Sequence, residues 1–210
     1  MPAITWDKKS QRYRFTDTGT YASATAVRNL LSKAAEQSAD RIDKIADRFV
    51  SGKINTTTWA TQTAAELKTL HSWGYLLGVG GRRGMTQADY GILGSRLKAQ
   101  YNYLKGFASD IVITGMSEKQ FRARLGMYVS AVRGSYERAR SESHLREGYL
   151  SEQRRRTKTE SCQECLWYAM RGWQPLGLLP PPTTACTCRS NCGCYKIYSK
   201  KTVLELSRET

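Results

Sequence analysis

All six cysteines of this chain lie between Cys162 and Cys194, and the residues before them contain none. They read as Cys162-Gln-Glu-Cys165 and, beyond a span holding Gly172, Pro175, Gly177 and Pro180-Pro-Pro182, as Cys186-Thr-Cys188-Arg-Ser-Asn-Cys192-Gly-Cys194. A Cys-x-x-Cys turn puts two thiolates on one side of a tight bend, and a second cysteine turn supplies two more. Four such ligands close a tetrahedral site of the kind that holds Zn²⁺ and leave no open coordination position, so the expected role is structural. The expected ligands are Cys162, Cys165, Cys192 and one of Cys188 or Cys194, with Cys186 the spare. Around one divalent ion they leave a charge of about −2, which nearby arginines would offset. A disulfide cluster and a redox Cys-x-x-Cys pair are the competing chemistries. Against the first, Met1 to Lys9 lacks the apolar core of a secretory signal, so a reducing compartment is expected; against the second, no thioredoxin-like strand-helix context surrounds the pair.

Other chemistry is sparse. His71 and His144 are the two histidines, and neither sits beside a cysteine or an acidic cluster at a catalytic spacing, so no enzyme is expected. The run from Gly78 through Gly80-Gly81 to Gly84 could cradle a phosphate, but no Gly-Lys-Ser/Thr follows and the Gly-x-Gly-x-x-Gly spacing is not met. It reads as an interhelical turn. The net charge of +15, from 33 Lys and Arg against 18 Asp and Glu, is spread along the whole length and would attract polyanions. The candidate polyanion contacts are Arg122, Arg133 and Arg140 on one helix, and Arg154, Arg155, Arg156 and Lys158 just before the cysteines. A solvated face partly neutralised by Glu137, Glu142 and Glu147 is the plainer reading of the helix. No apolar run approaches the ~18 residues that would cross a bilayer, so no membrane partner is expected.

Stepping along the chain, residues 1 to 22 carry Trp6, Tyr13 and Phe15 among charges, with an Asp17-Thr18-Gly19 turn, and read as a short extended arm or hairpin. From Ala24, Val27, Leu31, Ala34, Ile42, Ile45 and Phe49 recur at helical steps until Ser51-Gly52. A second helix starts at Asn55-Thr56-Thr57 and carries Trp59, Thr63, Leu70, Trp73 and Leu77. A third is capped by Thr86 and Asp89 and runs past Leu93, Leu97, Leu104 and Ile111. Gly115 stops it, and Ser117 to Gln120 forms a capping box for a fourth that carries Phe121, Leu125, Tyr128, Val129, Val132 and Tyr136 on one arc. The expected fold is mainly α. A helical body of about four helices spans 23 to 150, and residues 151 to 210 form a basic linker and a small zinc-knuckle-like module. Trp167, Tyr168, Trp173 and Leu178-Leu179 would give that module apolar cover, with Trp173 the candidate for docking on a partner.

Taken together, Cys162 and Cys165, Gly172, Leu179-Pro-Pro-Pro182 and Asn191-Cys192-Gly-Cys194 resemble the phage head morphogenesis proteins of the phage Mu F type. Tyr101 to Phe107 and Arg124 to Tyr128 also look like the helical region of such proteins, so the resemblance covers roughly residues 85 to 195. Where many members place a His, this chain has Cys188. The resemblance implies a minor capsid or connector component of the virion, made in the host cytoplasm, in several copies near the portal vertex. Portal or capsid proteins would be its partners, with packaged DNA close by. The rival expectation is a sequence-nonspecific nucleic-acid-binding protein with a zinc-ribbon-like end.

Overall fold

The first helix, α1 (Ala24–Val50), begins where the Ser23 side chain accepts a hydrogen bond from the Ala26 amide at 3.1 Å. Asn55 caps α2 (Thr56–Gly78) in the same way through Thr58 at 2.8 Å. Full capping boxes start α3 (Gln87–Thr114) at Thr86 and Asp89, and α4 (Glu118–Ser130) at Ser117 and Gln120. Each cap satisfies amides that the first helical turn leaves without partners. The computed structural model describes residues 4–10, 12–157, 160–188 and 192–209. Among these, no helix is long and apolar enough to cross a membrane.

The expected fourth helix is two helices, α4 and α5 (Val132–Arg146), meeting at Ala131. Ser130 Oγ donates back to the Gly126 carbonyl at 2.8 Å, a contact that bends helices, and Gly134 N–H turns to the Ala131 carbonyl at 3.0 Å. Ala131 keeps helical dihedrals, so the apolar arc runs through the break and the sequence pattern does not reveal it.

Helix α2 is the centre of the body and packs on α1, α3 and α5. Its contact with α5 is close: a Cβ on Gly78 would lie 2.5 Å from the Ala139 Cβ and from the Tyr136 carbonyl. On the other side of the core, Trp59 is fully buried, edge-on to Phe107 at 5.4 Å and 5.4 Å from Phe121. Aromatic pairs of this kind add about 0.5–1.5 kcal/mol beyond the area they bury.

The N-terminal arm is an antiparallel meander, β1 (Ile4–Asp7), β2 (Arg12–Phe15) and β3 (Tyr21–Ala22), seated on the body. Its seat is the glycine-rich loop. Trp6 N–H donates to the Gly80 carbonyl at 2.9 Å, and the Tyr13 hydroxyl donates to the Leu77 carbonyl at 2.9 Å. Gly80 has φ +83°, and a Cβ there would lie 2.0 Å from the Trp6 Cβ.

Residues 151–155, expected as part of a linker, form β4 (Ser151–Arg155), the middle strand of a second antiparallel sheet. Its neighbours are β5 (Trp173–Pro175) and β6 (Tyr195–Ser199). Two short helices complete this part, α6 (Gln163–Met170) and α7 (Val203–Ser207). His144, in the last turn of α5, joins all three regions: its ring lies 5.7 Å from Trp6, 4.4 Å from Tyr149 and 4.3 Å from Tyr198.

Both histidines are buried neutral. Burial, then the charges of Arg140 and Lys200, hold His144 down to about 3, and burial with Arg96 holds His71 down to about 4. In the unfolded chain each takes up a proton near pH 6.5, so the stability they contribute is complete above that pH and is lost as pH falls toward 4, by up to about 1.4 kcal/mol per unit per histidine. Urea unfolding at about pH 7 and pH 4.5 should show this loss, and a His71→Gln, His144→Gln variant should show a shallower one; an equal slope in both would assign the loss elsewhere. Gly80→Ala should cost about 2–4 kcal/mol through the left-handed backbone and the collision with Trp6, read as a lowered denaturant midpoint.

Candidate metal centre

Three pieces of chain bring the cysteines together. Cys162 is the extended residue immediately before α6, and Cys165 lies on the first turn of that helix. Cys186 and Cys188 follow a turn that closes through Thr184 N–H to the Pro181 carbonyl and passes Thr183 at φ +76°. Cys192 and Cys194 lead directly into β6. Glu164 ties the first piece to the second by accepting from the Thr187 hydroxyl at 2.9 Å. Arg133 of α5 reaches across from the body and donates to the carbonyls of Cys192 and Cys194, the latter at 2.7 Å.

The thiols fall into two groups. Cys162, Cys165, Cys186 and Cys188 have Sγ atoms all within 4.8 Å of one another, and Cys165, Cys192 and Cys194 form a second set to the same limit. Individual separations are 3.3 Å for Cys162 to Cys188, 3.5 Å for Cys165 to Cys188, 3.5 Å for Cys186 to Cys188 and 3.7 Å for Cys165 to Cys192. Metal–thiolate bonds of about 2.3 Å in a tetrahedron put sulfurs about 3.8 Å apart, so the cluster fits a metal ion. All six stand as free cysteines.

The expected ligands Cys162, Cys165, Cys188, Cys192 and Cys194 all stand in the cluster. Cys186, expected to be spare, is buried and stands in the group of four as well, and Cys192 and Cys194 form the second set with Cys165. Cys188 belongs to the group of four.

The environment separates the thiols electrostatically. Cys192 is held down to about 4 by a hydrogen bond from the Cys194 thiol and by backbone donors at Cys194 and Thr183, which outweigh its burial. At Cys162 the penalty of burial is outweighed by the amides of Cys165 and Cys188, leaving it at about 7. Burial pushes Cys165 up to about 12 and raises Cys188. Cys162 and Cys192 therefore ionise readily, while Cys165 and Cys188 would give up their protons to a cation bound beside them.

Behind the cluster lies a buried charge network. Lys196 of β6 and Glu152 of β4, 2% and 0% exposed, pair at 2.8 Å, and the other Glu152 oxygen accepts the Leu179 amide at 2.7 Å. Lys196 also donates to the Leu179 carbonyl, and Arg154 donates to the Pro180 carbonyl while lying over the Tyr168 ring at 5.0 Å. These bonds pin the proline-rich span to the sheet. Sequence reading missed Glu152 and Lys196, since Ser151-Glu-Gln-Arg-Arg155 has no apolar alternation to mark a buried strand.

The candidate polyanion contacts are mostly engaged inside the molecule. Arg122 pairs with Asp47 and Glu118, each at 2.7 Å. Arg133 holds the cysteine carbonyls, and Arg140 lies 5.0 Å over the Tyr198 ring and donates to the Lys196 carbonyl at 3.5 Å. Arg154 is 1% exposed, so burial removes it from any phosphate. Arg155 and Arg156 are exposed, and Lys158 lies outside the described residues, as does Asn191. The module's aromatic cover also differs from expectation. Trp167 is 55% exposed and Trp173 half-buried, and Leu166, Met170 and Leu178 face solvent with Trp167.

No protein-family model, curated protein or solved structure matches this chain.

Arg133→Ala leaves two buried carbonyls without their donor and should cost about 2 kcal/mol in chemical denaturation. Arg122→Ala, which removes a half-exposed ion pair, should cost at most about 1 kcal/mol. Equal losses would mean that Arg133 is no more than another surface arginine.

Proposed function

We propose that the cysteine cluster binds zinc as a structural ion. The donors are all sulfur, which selects zinc, copper(I) or iron–sulfur chemistry over magnesium or calcium. Four thiols of one group can saturate a tetrahedral ion, which leaves no place for a substrate and supports a structural role over a catalytic one. Metal analysis of the purified chain should find zinc and no visible absorbance. Iron with visible bands, or less than about half an equivalent of any metal, overturns this assignment.

We further propose that the chain is a non-enzymatic minor head or connector component of a tailed phage, acting near the portal vertex in head assembly and in DNA packaging or retention. The observation that carries this reading is the combination of a cysteine-closed module with the motif residues Cys162, Cys165, Gly172, Pro180-Pro-Pro182 and Cys192-Gly-Cys194. Two structural features support assembly over nucleic-acid binding. Most of the candidate phosphate contacts are committed to internal pairs, and the module exposes Leu166, Trp167, Met170 and Leu178, a surface suited to protein partners. In this reading several copies meet portal or capsid subunits, and DNA is a neighbour.

The test is co-sedimentation with the portal and capsid proteins of the same virion, beside a salt titration of duplex DNA binding. The expected result is association with portal rings, weakened by Trp167→Ala, and weak DNA binding. Absence of association, with DNA affinity that falls steeply as salt rises, would favour the rival nucleic-acid-binding protein with a zinc-ribbon-like module.

A further inference from the structure

We infer that the cluster is a two-metal centre in which Cys165 bridges two divalent thiophilic ions, an inference that rests on the metal-binding reading above. The two thiol groups are not alternatives for one ion. A single tetrahedral ion held by Cys162, Cys165, Cys186 and Cys188 leaves Cys192 and Cys194, each 2% exposed, as paired buried thiols beside Cys165 with no ligand of their own. Cys165 is the member common to both sets, is fully buried, and lies 3.5 Å from Cys188 of the first set and 3.7 Å from Cys192 of the second. A thiolate sulfur has lone pairs enough for two cations, and bridging is how a limited number of cysteines serves more than one ion.

The charge balance favours the same arrangement. One divalent ion with four thiolates carries −2, and so do two divalent ions with six thiolates. Filling the second position therefore converts two more thiols to thiolates without adding buried charge. The carbonyls of Cys192 and Cys194 are already fixed by Arg133, whose guanidinium stands beside the second position and contributes a positive charge there. The first ion takes four thiols. The second takes Cys165, Cys192 and Cys194, and its fourth ligand is either a second bridging thiolate, with Cys188 the neighbour at hand, or a small exogenous donor.

The experiment uses the full chain, purified from zinc-supplemented medium and also exchanged with ¹¹³Cd²⁺. The expected result is two metal equivalents per chain, with two ¹¹³Cd resonances split by mutual coupling through a shared sulfur. Cys194→Ser should retain one equivalent and lose the coupling, and Cys192→Ser provides the same reading if that variant does not fold. A single equivalent in the unmodified chain overturns the two-metal centre and leaves the zinc reading standing. Two uncoupled resonances overturn the bridge, and no bound metal overturns both readings.

Discussion

Arg140, together with Arg133, Ser141 and His144 of the same helix, makes the contact on which the two halves of the molecule depend. Arg140 leaves α5 with its side chain 15% exposed, lies between the rings of Tyr136 and Tyr198, and reaches the Lys196 carbonyl. A guanidinium this buried costs several kcal/mol to desolvate unless its charge and donors are met. The aromatic faces and the Glu137 carboxylate 3.9 Å away meet the charge, and the Lys196 carbonyl accepts one of its donors. Strand β6 is thereby fixed against the helical body. Because β6 begins immediately after Cys194 and pairs along the whole of β4, the cysteine cluster and the sheet take their place from that one strand. The close approach of α2 and α5 at Gly78 in turn positions α5, the helix that carries Arg140.

This use of arginine changes what the charge of the chain means. A net +15 suggests a surface built for polyanions. Yet Arg122, Arg133, Arg140 and Arg154 serve as internal connectors, each meeting a carboxylate, a carbonyl or a ring. Arginine suits such work because its planar fork binds several acceptors and stacks on aromatic faces, and because it cannot shed its proton to escape burial. Composition counts charges without saying which of them reach solvent.

What the sequence revealed and what it hid divide along physical lines. Helix starts were legible, since Ser23, Asn55, Thr86 and Ser117 act through residues three or fewer positions away. Apolar stripes were legible for the same local reason. The break at Ala131 was not, because a bend that keeps helical dihedrals leaves the stripe in register. Strand β4 was not, because its stability comes from pairing with β5 and β6, which lie far along the chain, and its buried side chains are polar or charged. Cysteine spacing pointed to a cluster able to hold a metal but could not show how its members group. That depended on how the turn at Thr183 delivers Cys186 beside Cys162, a matter of loop geometry. Trp167 was misread as cover because α6 is short and faces the cluster with Cys165, which leaves the opposite side of the helix to solvent.

The exposed face and the cysteine cluster are two sides of that same short helix. Helix α6 has eight residues, too few to hold its conformation alone in water. Apart from the cysteines, Leu179 is the one large apolar side chain fully buried among the described residues after Ser151, so packing alone does not hold α6 in place. Its anchorage comes from Cys162 and Cys165 at its first turn, from Glu164 to Thr187, and from Tyr168 beneath Arg154. Leu166, Trp167 and Met170 project from the opposite side of that turn and the next. A change in the cluster would therefore alter the orientation of these three side chains before it altered any part of the helical body. If the cluster holds a metal and this face meets a partner, the ion fixes an apolar surface too small to organise itself, and ligands at the start of the helix do so at the point of greatest leverage.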